Sequence, residues 1–137
     1  MEERLVTKAL ENFKNGYSCS ESIVKAAVDL GLAHEVLLQA STVFSGGMGS
    51  GCLCGAVAGA QMVIGSIYGK EARPYAKKMI DEFRKANGAT CCKVLTHGFD
   101  FHSVERKKHC YQMVTTATSI LYQIIKDKIG NKIEIEM

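Results

Sequence analysis

The residues of this chain with the greatest capacity for chemistry are its six cysteines. A cysteine thiolate is the nucleophile of disulfide exchange and a ligand for soft metals. The chain starts without an apolar signal segment, so we expect a cytoplasmic protein, in which many cysteines are typical of redox or metal sites rather than of a disulfide framework. The six residues are Cys19, Cys52, Cys54, Cys91, Cys92 and Cys110.

The predicted positions of the cysteines on helices suggest a common site. Cys19 and Cys54 each stand at the predicted start of a helix, as do the adjacent Cys91 and Cys92. Free backbone N–H groups and the positive end of the helix dipole favour a thiolate there. Cys110 lies on the inward stripe of the predicted last helix. Four separate helices thus each offer a cysteine to one centre, as a four-thiolate metal site requires.

Spacing alone leaves three interpretations of the cysteines open, because the Cys-x-x-Cys pairs of common metal sites are absent. The first is an iron–sulfur cluster, or zinc as the alternative metal, used for electron transfer or redox sensing. It requires four thiolates that converge. The second is a metal-free thiol–disulfide redox protein, which requires two cysteines within bridging distance. The third is a non-catalytic helical interaction module, in which the cysteines are scattered core residues.

Glycines in and before the apolar segment at residues 54–68 are candidate cofactor-binding positions. Gly55 and Gly59 lie four residues apart on one predicted helix face, where small residues let a second helix or a bulky cofactor approach the backbone. Gly51 belongs to the glycine-rich loop before that helix, residues 45–51 (SGGMGSG), and is the third candidate. The loop lacks the Lys of a phosphate-binding loop and follows no predicted strand, so we expect no nucleotide cofactor.

Apolar residues recur at helical spacing along most of the chain, which predicts an all-α fold. We expect one compact bundle of about five to seven helices over residues 1–137, with a frayed tail at residues 130–137 after a last helix ending near Lys128. Ser18 and Glu21 form a capping-box pattern, and Ser103 is a predicted N-cap. The segment that follows the glycine-rich loop has no polar face, which predicts a buried central helix.

Charge and hydropathy constrain the partners of the protein. The net charge of +3 includes no basic run, and the Lys and Arg residues are interpreted as solvated helix faces, among them Arg106 and Lys107. We therefore expect no nucleic-acid partner. Residues 36–69 carry no charge, but the glycine-rich loop interrupts them, so we expect no membrane span. Apolar surface on the central helix and the loop predicts a homo-oligomer.

Residues 54–59 (CGAVAG) resemble the core motif of the C_GCAxxG_C_C family, small helical proteins described as redox-active. Residues 13–19 (FKNGYSC) resemble the region of the family's first cysteine, and residues 88–95 (GATCCKVL) that of the third. Cys110, near the start of a long last helix, resembles the fourth. The resemblance covers about residues 5–126.

This resemblance implies a functional set of four cysteines, namely Cys19, Cys54, Cys92 and Cys110. Cys91 is the alternative to Cys92, and Cys52 is an additional cysteine. A related domain occurs in a multihaem cytochrome associated with an iron–sulfur site, so the resemblance favours a cluster over the other interpretations. It implies an electron-transfer partner without naming one, and it supplies no substrate.

Overall fold

The computed structural model describes residues 1–100 and 103–136 as a bundle of α-helices, which confirms the predicted all-α class. Over these residues the only β-type pairing is an isolated bridge between Leu53 and Cys91. The helices are α1 (Glu2–Lys14), α2 (Cys19–Asp29), α3 (Val36–Ser41), α4 (Gly55–Tyr68), α5 (Ala72–Asn87), α6 (Cys92–Leu95) and α7 (Val104–Glu136).

Local sequence signals set several helix ends. The predicted capping box is present at α2: the Ser18 side chain accepts a hydrogen bond from the Glu21 backbone N–H, and the Ser18 N–H donates to the Glu21 carboxylate at 3.0 Å. These reciprocal bonds satisfy two backbone donors that the first turn would otherwise leave free. The Arg106 N–H donates to the Ser103 hydroxyl at 3.0 Å, as predicted for an N-cap. Ser18 and Ser103 lie at the same opening of the bundle.

The central helix of the bundle is α4, as its sequence predicts. Every residue of its first six is buried, as are Val63 and Ile64. Helices α2, α5 and α7 pack around it, and burial of each large apolar side chain contributes about 1.5–3 kcal/mol to stability. The apolar surface of α4 is therefore covered within the chain, so it does not itself call for a second copy. The homo-oligomer stays a prediction.

The last helix, α7, is longer than its sequence predicts. The sequence predicts that this helix ends near Lys128 and that residues 130–137 form a frayed tail. In the structure α7 instead continues to Glu136. Each added residue of a formed helix gains one backbone hydrogen bond, and no proline interrupts the segment, so Gly130 alone does not end it. No helix in the part of the chain that the structure describes, α7 included, has the length and apolar character to cross a membrane.

Candidate cysteine site

One cleft of about 950 Å³ is lined by four of the six cysteines. Cys19 begins α2, Cys54 precedes α4, Cys92 begins α6 and Cys110 lies in the second turn of α7. The chain thus brings together four residues that are distant in sequence, from four helices, at one opening of the bundle. This placement matches the convergence that the sequence predicts for a shared thiol site, and it argues against cysteines scattered through the core.

The four sulfurs are close enough to alter one another's ionisation. Cys19 is coupled electrostatically to Cys54 and Cys110, Cys54 to Cys92 and Cys110, and Cys110 to Cys92. A negative charge on one sulfur disfavours a negative charge on its neighbour, which helps to raise the pKa of Cys19, Cys54 and Cys110. The four cysteines therefore form one electrostatic unit.

Burial is the largest cause of the raised pKa of Cys19, Cys54 and Cys110. Removal from water raises the pKa of Cys19 from 9.0 to about 12 and the pKa of Cys54 from 9.0 to about 11, and it also raises the pKa of Cys110. The expectation that helix starts favour a thiolate is therefore wrong for Cys19 and Cys54, since loss of hydration outweighs the dipole and amide contributions. Without a bound cation, these thiols are neutral at neutral pH.

Backbone N–H groups and one cation act against the burial effect. The amides of Gly46 and Ser20 lower the pKa of Cys19, and those of Ala56 and Val57 lower the pKa of Cys54. The Arg106 guanidinium does the same for Cys110. The site is thus equipped to stabilise negative charge on sulfur, although these groups alone do not overcome desolvation.

Alkylation should show the raised pKa values directly. In reduced, metal-free protein, the logarithm of the rate at which iodoacetamide modifies Cys54 is expected to rise linearly with pH up to about pH 10, since only the thiolate reacts. In urea-unfolded protein, the rate profile of the same peptide should level off near the ordinary thiol pKa of 9.0. Mass spectrometry of short alkylation pulses measures both profiles. Burial also slows access of the reagent to the thiol, so the pH at which the profile levels off is diagnostic and the absolute rate is not. A profile of the folded protein that levels off near 9.0 would contradict the effect of burial on the pKa.

The glycine-rich loop lines one side of the cleft, and much of its backbone is in the left-handed conformation. Gly46, Gly47, Met48 and Gly49 have φ values of 63°, 66°, 63° and 70°. A Cβ atom at Gly47 would lie 2.7 Å from the Cys92 Cβ, so no larger residue fits there. The loop can therefore lie directly against the start of α6.

The three glycines predicted to contact a cofactor occupy different surroundings. Gly51 and Gly55 line the cleft. A side chain at Gly55 would collide with the Cys19 sulfur, so this glycine makes room for that thiol. Gly59 instead lies on the α2–α4 contact, where an added Cβ would be 2.7 Å from the Ser20 carbonyl oxygen. Its position is explained by close helix packing.

The structure distinguishes between the adjacent cysteines. Cys92 lines the cleft, whereas the Cys91 thiol donates a hydrogen bond to the Gly51 carbonyl oxygen at 3.3 Å. Cys91 is also the residue that precedes α6. Cys52 is exposed and is not among the cleft-lining residues.

A protein-family model matches the part of the chain that contains these cysteines. The model of the family described as "Putative redox-active protein (C_GCAxxG_C_C)" matches residues 17–124, which include all six cysteines. The chain belongs to the C_GCAxxG_C_C family. No curated protein and no solved structure matches the chain.

Basic side chains at the cleft are the feature of this C_GCAxxG_C_C protein that sequence reasoning missed. Lys93, Arg106 and Lys107 all line the cleft, although the sequence pattern predicts that Arg106 and Lys107 lie on a solvated helix face. A signal was available, because Arg106 precedes Cys110 by four residues and so shares its helix face. The cations make the opening favourable for negative charge.

The cysteines of the C_GCAxxG_C_C site are not placed to hold one ion. Among the described residues, no group of three or more His, Cys, Asp or Glu side chains is arranged around a single metal position. A zinc ion needs its sulfur ligands about 2.3 Å away and in tetrahedral order. In a [4Fe–4S] cluster each of the four thiolates binds a separate iron, which permits a wider separation of the sulfurs. The donor set therefore fits a cluster better than a single ion.

Proposed function

We propose that this protein is a redox protein whose cleft holds an iron–sulfur cluster for electron transfer or redox sensing. The observation that carries the proposal is the convergence of Cys19, Cys54, Cys92 and Cys110 on one open cleft from four different helices. Four thiolates are the usual ligand set of such a cluster. The cleft volume of about 950 Å³ also exceeds what a bond between two cysteines would occupy.

The electrostatics of the cleft support a positively charged iron centre among the sulfurs. The raised pKa values of Cys19 and Cys54 mean that bare thiolates are unfavourable there. Iron ions compensate the thiolate charge, so binding would release protons and strengthen as pH rises towards those pKa values. In this proposal Gly55 leaves space for the Cys19 thiol, and Gly51 leaves space for the Lys93 side chain, at the edge of the bound group.

The chain's own residues would then tune the centre. A bound cluster supplies one-electron transfer, and the protein supplies ligands, amide dipoles and charge. The amides of Gly46 and Ala56 beside the ligand sulfurs, together with the Arg106 cation, stabilise added negative charge. Such groups favour the reduced state and so raise the reduction potential. The open side of the cleft is the route for a redox partner.

A second candidate is a metal-free thiol–disulfide protein. It is favoured by the absence, among the described residues, of a preformed site for a single ion, and by the close coupling of Cys54 to both Cys92 and Cys110. In that case two of the four thiols would exchange electrons by forming and breaking a disulfide.

Anaerobic reconstitution tests the proposal. The purified protein is reduced, incubated with ferrous iron and sulfide, and desalted, and iron, acid-labile sulfide and the visible spectrum are measured. We expect charge-transfer absorption with stoichiometric iron and sulfide. A protein that stays colourless and free of iron contradicts the cluster. Thiol titration before and after mild oxidation then tests the dithiol candidate, which requires the loss of two thiols for each chain.

A further inference from the structure

A short antiparallel pairing brings the exposed Cys52 next to the cleft cysteine Cys92. Leu53 and Cys91 form the isolated bridge. On either side of it, the Cys54 N–H donates to the Thr90 carbonyl at 2.7 Å, and the Cys92 N–H donates to the Cys52 carbonyl at 2.5 Å. This register places Cys52 directly opposite Cys92.

The pairing allows a covalent bond between these two residues. Directly opposite residues of an antiparallel pair have Cα atoms about 4.5–5.5 Å apart and side chains on the same face. Disulfides span Cα separations of about 4.4–6.8 Å. Gly47 packs against both partners, since its added Cβ would lie 2.6 Å from the Cys52 nitrogen and 2.7 Å from the Cys92 Cβ. The Cys52 and Cys92 backbones are thus held together independently of any bound group.

Exposure assigns different roles to the two thiols. Cys52 is exposed to solvent, whereas Cys92 is half-buried and lines the cleft. Lys93 follows Cys92 in the chain, and its side chain lies over Gly51, the residue before Cys52, with its Cε 2.9 Å from where an added Cβ would be. A small disulfide that carries carboxylates would meet this cation as it reaches Cys52.

We propose that Cys52 and Cys92 form a thiol–disulfide exchange pair for small anionic disulfides, with Cys52 as the thiol attacked first from solvent. The Cys52 thiolate attacks one sulfur of the substrate disulfide, whose S–S bond breaks and releases one substrate thiolate. The Cys92 thiolate then attacks the Cys52 sulfur of the mixed disulfide, forms the Cys52–Cys92 bond and releases the second substrate thiolate. Two electrons pass from the two cysteines to the substrate, and their two protons go to the released thiolates.

The pair is tested in the reduced, chelator-treated full chain, so the outcome does not depend on whether a cluster is bound. Oxidised glutathione is the probe, and peptides are mapped by mass spectrometry without reduction. We expect a Cys52–Cys92 disulfide and two glutathione thiols released for each chain. C92S should stop at the mixed disulfide on Cys52, and C91S should behave like the wild type. A predominant disulfide between any other two cysteines overturns the proposal.

Two further variants test the roles of the individual residues. C52S should react at least about tenfold more slowly, because the thiols that remain are less accessible. Since Cys52 is exposed, this variant should fold normally, which circular dichroism checks. K93Q should lower the rate with oxidised glutathione relative to the rate with cystamine, a disulfide that carries positive charges. A wild-type rate in C52S overturns the role of Cys52, and an unchanged rate ratio in K93Q overturns the preference for anionic disulfides.

Discussion

Replacement of Cys54 by Ser is expected to abolish the visible absorption of the reconstituted protein, together with its bound iron and sulfide. Cys54 is only 6% exposed and is coupled electrostatically to three other cysteines, so it lies at the centre of the proposed ligand set. Loss of an outer-shell partner typically costs about 10–100-fold in metal affinity. Loss of a ligand should cost more than that.

The adjacent cysteines supply a matched control for this prediction. C92S should lose iron as C54S does, as should C19S and C110S. C91S should retain iron and sulfide at wild-type levels, because the Cys91 thiol bonds to the Gly51 carbonyl and does not line the cleft. Each variant is reconstituted in parallel, and thermal unfolding of the metal-free form excludes misfolding. Retention of the cluster in C92S with its loss in C91S would reverse the assignment of the third ligand.

Replacement of Gly59 by Ala is expected to destabilise the protein by about 3 kcal/mol, near the upper end of the usual cost of overpacking a core. The new methyl group would lie 2.7 Å from the Ser20 carbonyl oxygen and 3.1 Å from the Ser20 Cα. Both are backbone atoms, so relief requires α2 and α4 to separate rather than a side chain to rotate. Denaturant unfolding of the metal-free protein measures the change in free energy.

The same helix contains the control for the Gly59 substitution. Gly65 is an exposed residue of α4, and an added Cβ there would meet no atom within 4 Å. G65A should therefore stabilise the protein by about 0.5–1 kcal/mol, because alanine loses less conformational freedom in a helix than glycine does. If G59A and G65A changed stability equally, the close approach of α2 to α4 would be wrong.

Much of the helical architecture follows from the local sequence. Ser18 and Glu21 specify the start of α2 because a cap depends only on groups within one helical turn. The unbroken apolar character of α4 predicts its central position, since a helix without a polar face must be covered on all sides. The end of α7 is less well determined, because a helix that packs along part of its length continues wherever no residue stops it.

The sequence by itself determined the all-helical class, the main helices and the buried centre, and its family motif predicted the four cysteines that line the cleft. Only the tertiary structure places Cys92 at the cleft and turns Cys91 to the Gly51 carbonyl, because neighbours in sequence differ in direction and not in spacing. It also reversed the expected ionisation of Cys19 and Cys54 and brought Lys93 to the cleft. These properties depend on what distant helices remove from water or place nearby, and no local pattern carries that information.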